Sequence, residues 1–209
     1  MSLLNSDKLR NFFSGRRRFQ LAWIFAFFLI VSAKQYPSYL GIVVCLLGAT
    51  LRFVSSGFLR KEAKLAVGGP YSHTRNPLYL GTFIMALGAT ISVGAIWLTI
   101  VAGFVFYLNY HYVIDHEEEK LPTYFGVAYT HYCGLVPRFL PRLTTPSMEA
   151  LHKINPDPEV YEFSLKLAKE NKAFEAYFSF IALILGMALL VFVKMKLGLL
   201  PHTDRKSVV

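Results

Sequence analysis

Residues 68–82 read GGPYSHTRNPLYLGT, and the stretch joins two strongly apolar runs. It sets a tyrosine, a histidine, an arginine and an asparagine against a proline, and the chain then runs apolar to Val93. Pro77 suits the first position of a helix and Asn76 the N-cap before it, so the pattern predicts a helix that opens at Pro77 with polar groups at its mouth. The fold turns on whether that helix lies in water or in lipid.

Composition decides for lipid. Hydrophobic residues make up 54% and charged residues 17% of the 209, with mean hydropathy +0.41, outside the usual soluble range. A spanning helix needs roughly 20 mainly apolar residues. Segments 19–33, 37–59, 78–93, 95–114 and 174–200 approach this, the third joined to the fourth through Gly94 in a tight hairpin. The expectation is an all-α, polytopic integral membrane protein of about five transmembrane helices with a cytosolic-face cofactor site. It reads as a single membrane domain over 1–209. Within it, 1–67 hold an N-terminal anchor and two helices, 68–142 the polar motifs, and 143–209 an interfacial helix and a last transmembrane helix. The run INPDPEVYEF opens that interfacial helix, which is expected to reach about Lys172.

Most of the 22 Lys and Arg fall in 1–18, 60–77 and 115–173. The positive-inside bias then puts the N-terminus in the cytosol, the C-terminus outside and both polar stretches on the cytosolic side, in a bacterial inner membrane or the endoplasmic reticulum. Arg16-Arg17-Arg18 precede the first apolar segment without a small-residue cleavage site, so the segment reads as an anchor rather than a signal peptide. The net charge of +9 reads as topology and anionic headgroups, with membrane lipids as partners and no nucleic acid. Arg52, within the second apolar run, either snorkels to the interface or faces an interior cavity.

The second polar stretch, DHEEEKLPTYFGVAYTHYCGLVPRFLPR, covers residues 115–142. Glu117, Glu118 and Leu121 are spaced to share one helical surface, where a carboxylate beside a leucine suits a nucleoside. His111, His116 and His131 lack the close spacing of a metal site, and no metal is expected. Nucleophile-elbow, P-loop and dinucleotide fingerprints are missing. The two cysteines, Cys45 and Cys133, argue for no disulfide.

Together the two stretches resemble the isoprenylcysteine carboxyl methyltransferase family and its relatives, the membrane phospholipid N-methyltransferases. The family pattern is Gly-x-Tyr-x-x-x-Arg-His-Pro-x-Tyr-x-Gly, then Glu-Glu-x-x-Leu, Phe-Gly-x-x-Tyr-x-x-Tyr and Val-Pro. Tyr71, Arg75, Pro77, Tyr79 and Gly81 match the first part, and Glu117, Glu118 and Leu121 the second. Phe125, Gly126, Tyr129, Tyr132, Val136 and Pro137 match the rest. The resemblance spans residues 69–141, and Asn76 stands where the family has His.

The resemblance implies S-adenosylmethionine as methyl donor, leaving as S-adenosylhomocysteine. It also implies a lipophilic small-molecule or lipidated acceptor entering from the bilayer. The implied cofactor-binding set is Tyr71, His73, Arg75, Asn76, Pro77, Tyr79, Glu117, Glu118 and Leu121, with Arg75 and Glu118 catalytic. The helix N-terminus and Arg75 suit the cofactor's carboxylate, Tyr71 its sulfonium or adenine, and the two glutamates its ribose. His73 compensates for the missing imidazole. Taken singly, Tyr71 and Tyr79 read equally as interfacial aromatics, and Arg75 and Arg138 as topology. A carboxylate acceptor leads, a phospholipid amine is the alternative, and an inactive member binding lipid or nucleotide is the third. Sterol reductases share the Val-Pro pattern but have far more spans.

Overall fold

A computed structural model describes residues 16–60, 64–94 and 96–200. Each expected apolar segment is a helix: α1 Arg16–Ser32, α2 Tyr39–Phe58, α3 Pro77–Val93, α4 Ile96–Glu118, and, after three shorter helices, α8 Glu175–Lys196. Among the described residues, three stretches, Tyr39–Phe58, Trp97–Glu118 and Glu175–Lys196, are long and apolar enough to cross a membrane. Helix α3, at 17 residues, is about 26 Å long against a hydrocarbon core of about 30 Å. The protein is an all-helical membrane protein, and the shorter apolar helices Trp23–Ser32 and Pro77–Val93 accompany these three stretches among the described residues.

Helices α2 and α3 make the most extensive contact in the fold. Their seam is a glycine stripe. A Cβ on Gly48 would stand 2.6 Å from the Gly81 carbonyl, and one on Gly81 would stand 2.6 Å from Arg52 Cγ. In lipid, apolar burial does not drive helices together, so close backbone approach over small residues does that work. The seam ends where Gly94, in the left-handed region at φ 72°, turns α3 back into α4.

Large apolar side chains point outward along the spans, among them Trp23, Ile100, Phe104 and Phe178. One buried cluster, Leu29, Cys45, Ala89, Val93, Leu98, Met187 and Val191, ties α1 to α4 and α8. A second lies at the other end of α3 and joins Leu65 and Val67 to Tyr129, Tyr132, Val136, Leu151 and Val160.

Three expectations change. Glu118 closes α4 and Leu121 opens α5 (Leu121–Leu135), so the two glutamates and the leucine do not share one helix. Pro122 in the first turn of α5 has no N–H to continue α4. Helix α5 itself bends at Gly126 (φ 51°, ψ −130°). The segment expected as one interfacial helix is α6 Met148–Ile154, a 3-10 turn Pro158–Tyr161 and α7 Leu165–Glu170. Ser147, Asp157 and Ser164 each accept from a backbone N–H at the start of one piece, and three caps divide the chain where one helix was expected. Finally, Asn76 occupies the N-cap position of α3 but its side chain makes no capping bond.

Candidate active site

The loop before α3 is fastened to the chain after α5. A 3-10 turn, Gly69–Ser72, buries Tyr71, whose carbonyl accepts a 2.6 Å bond from the Tyr132 hydroxyl. The Arg75 N–H donates to the Pro137 carbonyl at 2.9 Å, and Thr74 Oγ1 donates to the Phe139 carbonyl at 2.9 Å. His73 and Arg142 pair twice: the Arg142 N–H donates to the His73 carbonyl at 3.0 Å, and His73 Nδ1–H donates to the Arg142 carbonyl at 2.8 Å. The His73 ring therefore splices two loops. These backbone partners explain why polar residues cluster in an apolar chain, since a loop without secondary structure must satisfy its N–H and C=O groups elsewhere.

Once the loops are joined, an ionic network forms. Arg75 Nε and Nη2 donate to the two Glu118 oxygens, each at 3.1 Å, and Nη1 donates to the Cys133 carbonyl at 3.2 Å. Asn76 Nδ2 donates to Glu118 Oε1 at 3.1 Å and to the Arg138 carbonyl at 2.9 Å. The side chain expected to cap α3 thus steers the carboxylate instead. Arg138 reaches Glu118 at 3.4 Å and also pairs with Asp115, which has His111 at 3.5 Å. Burial disfavours the Arg75 charge, but Glu118 beside it more than offsets this and holds its pKa above the ordinary value. A two-pronged pair of this kind fixes orientation as well as charge.

The network forms one wall of a cavity of about 180 Å³. Tyr71, Arg75, Asn76, Pro77 and Tyr79 line it from the α3 side, and Glu117, Glu118 and Leu121 from the α4–α5 junction. Leu59, Arg60, Lys64, Leu65 and Ala66 close it opposite, with Phe125, Tyr129 and Tyr132 behind. The Tyr79 hydroxyl donates to Glu117 Oε1 at 2.5 Å. Burial, then the Glu117 charge, pushes the Tyr71 hydroxyl well above its ordinary pKa, with Arg52 opposing. Burial and then Glu118 do the same to Tyr129. Both phenols stay neutral, so they serve as packing faces rather than as bases.

Eight of the nine residues expected at a cofactor site therefore line one cavity, although the two motifs that carry them lie far apart in sequence. His73 is absent from that lining and engages Arg142 instead. Sequence reasoning missed Arg138 and Asp115, which extend the network, and the wall formed by Leu59, Arg60, Lys64, Leu65 and Ala66. The position of Arg138 directly after Val136-Pro137 was the available signal for it. The lining combines two carboxylates, two guanidiniums, an ammonium, an amide, phenols and apolar faces. Such a set suits a ligand with hydroxyl groups and charges of both signs on a flat apolar body.

Comparison with known proteins returns the family that the motifs suggest. Residues 42–128 match the phospholipid methyltransferase family. Over 94 residues the chain is 30% identical to a protein-S-isoprenylcysteine O-methyltransferase of Schizosaccharomyces pombe, covering 45% of this chain and 40% of that protein. It is 31% identical over 96 residues to the nickel-cobalt-cadmium resistance protein NccN of Alcaligenes xylosoxydans xylosoxydans, covering 46% and 45%. It is 34% identical over 85 residues to the cobalt-zinc-cadmium resistance protein CzcN of Cupriavidus metallidurans, covering 41% and 39%. The matched stretches thus span less than half the length of these relatives. No solved structure matches the chain significantly.

Proposed function

Taking as premise that residues 42–128 form a phospholipid methyltransferase-family segment, we propose that the protein transfers a methyl group from S-adenosylmethionine to a lipophilic acceptor in the membrane. The observation that carries this is the convergence of Glu117 and Glu118 with Arg75, Tyr79 and Leu121 on one cavity. The cofactor supplies an activated methyl on a sulfonium. In this reading Glu117 accepts from the ribose hydroxyls beside Leu121, and the Arg75 guanidinium and the α3 N-terminus face the carboxylate. Glu118, held by Arg75 and Asn76, keeps that guanidinium aimed. His73 leaves the cofactor-binding set and becomes a positioning residue, and Asn76 takes over part of the missing imidazole's role as a donor. Ligand pockets run about 300–1,000 Å³. Cofactor entry at a 180 Å³ cavity therefore requires its outer wall, where Lys64 is partly exposed, to give way.

A carboxylate acceptor is ionised at neutral pH and attacks without help from a base. The rate then comes from alignment and from removing water around the nucleophile. The neutral phenols, with no poised base among them, agree with that chemistry. It is also the activity in the name of the fission-yeast relative. An amine acceptor, favoured by the family description, would instead have to lose a proton. The N-terminus is assigned to the cytosol and the cavity to the cytosolic face. Calorimetric titration of the detergent-purified protein with S-adenosylhomocysteine tests the reading. Micromolar affinity that disappears in Glu117→Ala supports it, and no heat at millimolar ligand from folded protein would sink it in favour of lipid binding without turnover.

A further inference from the structure

Arg52 lies in the span of α2, six residues or about 9 Å before the helix ends at Phe58. A snorkelling arginine would extend along its own helix toward that end. Instead Nη1 crosses to α3, donating to the Leu78 carbonyl at 3.1 Å and to Thr82 Oγ1. The absent side chain of Gly81 makes the room, since a Cβ there would stand 2.6 Å from Arg52 Cγ. The guanidinium is thus fixed between two helices just on the membrane side of the cavity, close enough for its charge to act on the Tyr71 hydroxyl that lines it.

Its electrostatics are incomplete. Among the described residues no carboxylate lies within ion-pair distance of Arg52, whereas Arg75 and Arg138 both have one. Among the described residues only Nη1 finds a partner, and Nε and Nη2 are not among the buried unsatisfied atoms. A guanidinium carries five N–H donors in a planar fork matched to carboxylate and phosphate oxygens. An unneutralised charge within a span is costly unless something answers it.

We propose that Arg52 binds the oxyanion of an amphiphilic ligand, a carboxylate or phosphate carried on an apolar chain, and seats that anion against the membrane side of the cavity. The inference rests on the methyl-transfer reading for one point only: there the amphiphile is the acceptor. Nε and Nη2 would take its two oxygens while the chain stays in lipid. Holding one oxyanion edge on Arg52 would confine the acceptor's approach to the side of the cavity that Tyr71 lines.

The test uses full-length protein in an uncharged maltoside detergent. The probes are N-acetyl-S-farnesylcysteine, its neutral methyl ester and dioleoylphosphatidylglycerol, with S-adenosylhomocysteine affinity measured alongside. The wild-type protein is expected to bind the acid about tenfold more tightly than the ester. Arg52→Gln should erase that preference and leave S-adenosylhomocysteine affinity within about twofold. Arg52→Lys, which keeps the charge on a smaller head, should retain part of it. Should Arg52→Gln not fold, the wild-type acid-to-ester ratio and the lysine variant decide. Equal binding of acid and ester by the wild-type protein, or an unchanged preference in a folded Arg52→Gln, overturns the proposal. Phosphatidylglycerol that displaces the acid at similar affinity identifies bulk lipid phosphate as the source of the anion, and failure to displace it identifies the acceptor carboxylate. Loss of S-adenosylhomocysteine binding alone, with the acid preference intact, would strike the methyl-transfer reading and spare this one.

Discussion

The body and the opening turn of α3 are held by opposite physics. Along most of its length the helix lies against α2 over Gly41, Gly48, Gly81 and Gly88, where an added Cβ would meet backbone atoms or the near ends of Arg52, Cys45, Met85 and Ser92. Its opening turn is held by the Arg75 guanidinium and Asn76 amide just before it and the Tyr79 phenol within it, which meet the carboxylates that close α4. Backbone contact cannot be remade once wedged open, because a backbone has no rotamer to change. Ion pairs and hydrogen bonds can break and re-form around a ligand. The division places rigidity where the bundle must hold and adjustable contacts where something must enter.

The comparison breaks hardest at the seam. Gly48→Val would set a branched side chain where even a Cβ stands 2.6 Å from the Gly81 carbonyl and from the Met85 nitrogen. Overpacking with rigid neighbours costs upward of about 3 kcal/mol. We expect the variant to yield no monodisperse protein on size exclusion in detergent, and normal yield would show that the seam is loose.

At the opening turn the corresponding change should lose function before fold. Glu118→Gln removes the charge facing Arg75, leaving side chains only 13% and 17% exposed in the native pair with one guanidinium unanswered. Breaking a fully buried pair costs about 3–5 kcal/mol, and partial exposure here brings that down. S-adenosylhomocysteine affinity should fall at least about tenfold while the protein still elutes as a single species. Wild-type affinity would remove the network from the site.

A milder change grades the same end. Tyr79→Phe deletes the hydroxyl that donates to Glu117 and keeps the ring packed edge-on against Tyr110. Losing a hydrogen bond to a charged group costs about 1.5–3 kcal/mol where it is buried, less at this exposed position. A drop of about fivefold in cofactor affinity is expected, with an unchanged melting temperature. A large melting shift would instead make the tyrosine a structural tie.

The same contrast explains what the sequence disclosed. Apolar length alone located α1 to α4 and α8 within a few residues, because lipid leaves the backbone no partner but itself and imposes helices. Motif order picked out eight residues that line one cavity. What escaped was set by contacts between distant segments. Nothing local tells that the Asn76 amide will turn from its own helix to Glu118, or that His73 will bond Arg142 rather than face a ligand. The three caps dividing 147–164 were visible as Ser147, Asp157 and Ser164, but the amphipathic run obscured them. Arg138 went unassigned because a lone basic residue near a membrane has an ordinary explanation in topology.

The smallest expected effect lies at the outer wall of the cavity. Lys64 pairs with Asp157 and with Glu159, clasping the wall to the 3-10 turn after α6. Bonds to these carboxylates, chiefly Asp157, raise the Lys64 pKa, and the Lys64 bond lowers that of Asp157. For the lysine, the contribution to stability is complete below its ordinary pKa and disappears as pH rises through the elevated one. For the aspartate, it is complete above its ordinary pKa and disappears as pH falls through the depressed one. Between about pH 5 and 9 neither group changes charge, so stability from this clasp should be flat there. Salt is the better probe, because exposed pairs are screened at a Debye length of about 3 Å in 1 M salt. Lys64→Ala should shift the melting temperature by no more than about a degree or two, and 1 M salt should leave the variant and the wild type alike. If the variant instead binds S-adenosylhomocysteine faster at the same melting temperature, the clasp governs entry to the cavity rather than stability, and the adjustable end of α3 extends to its outer wall.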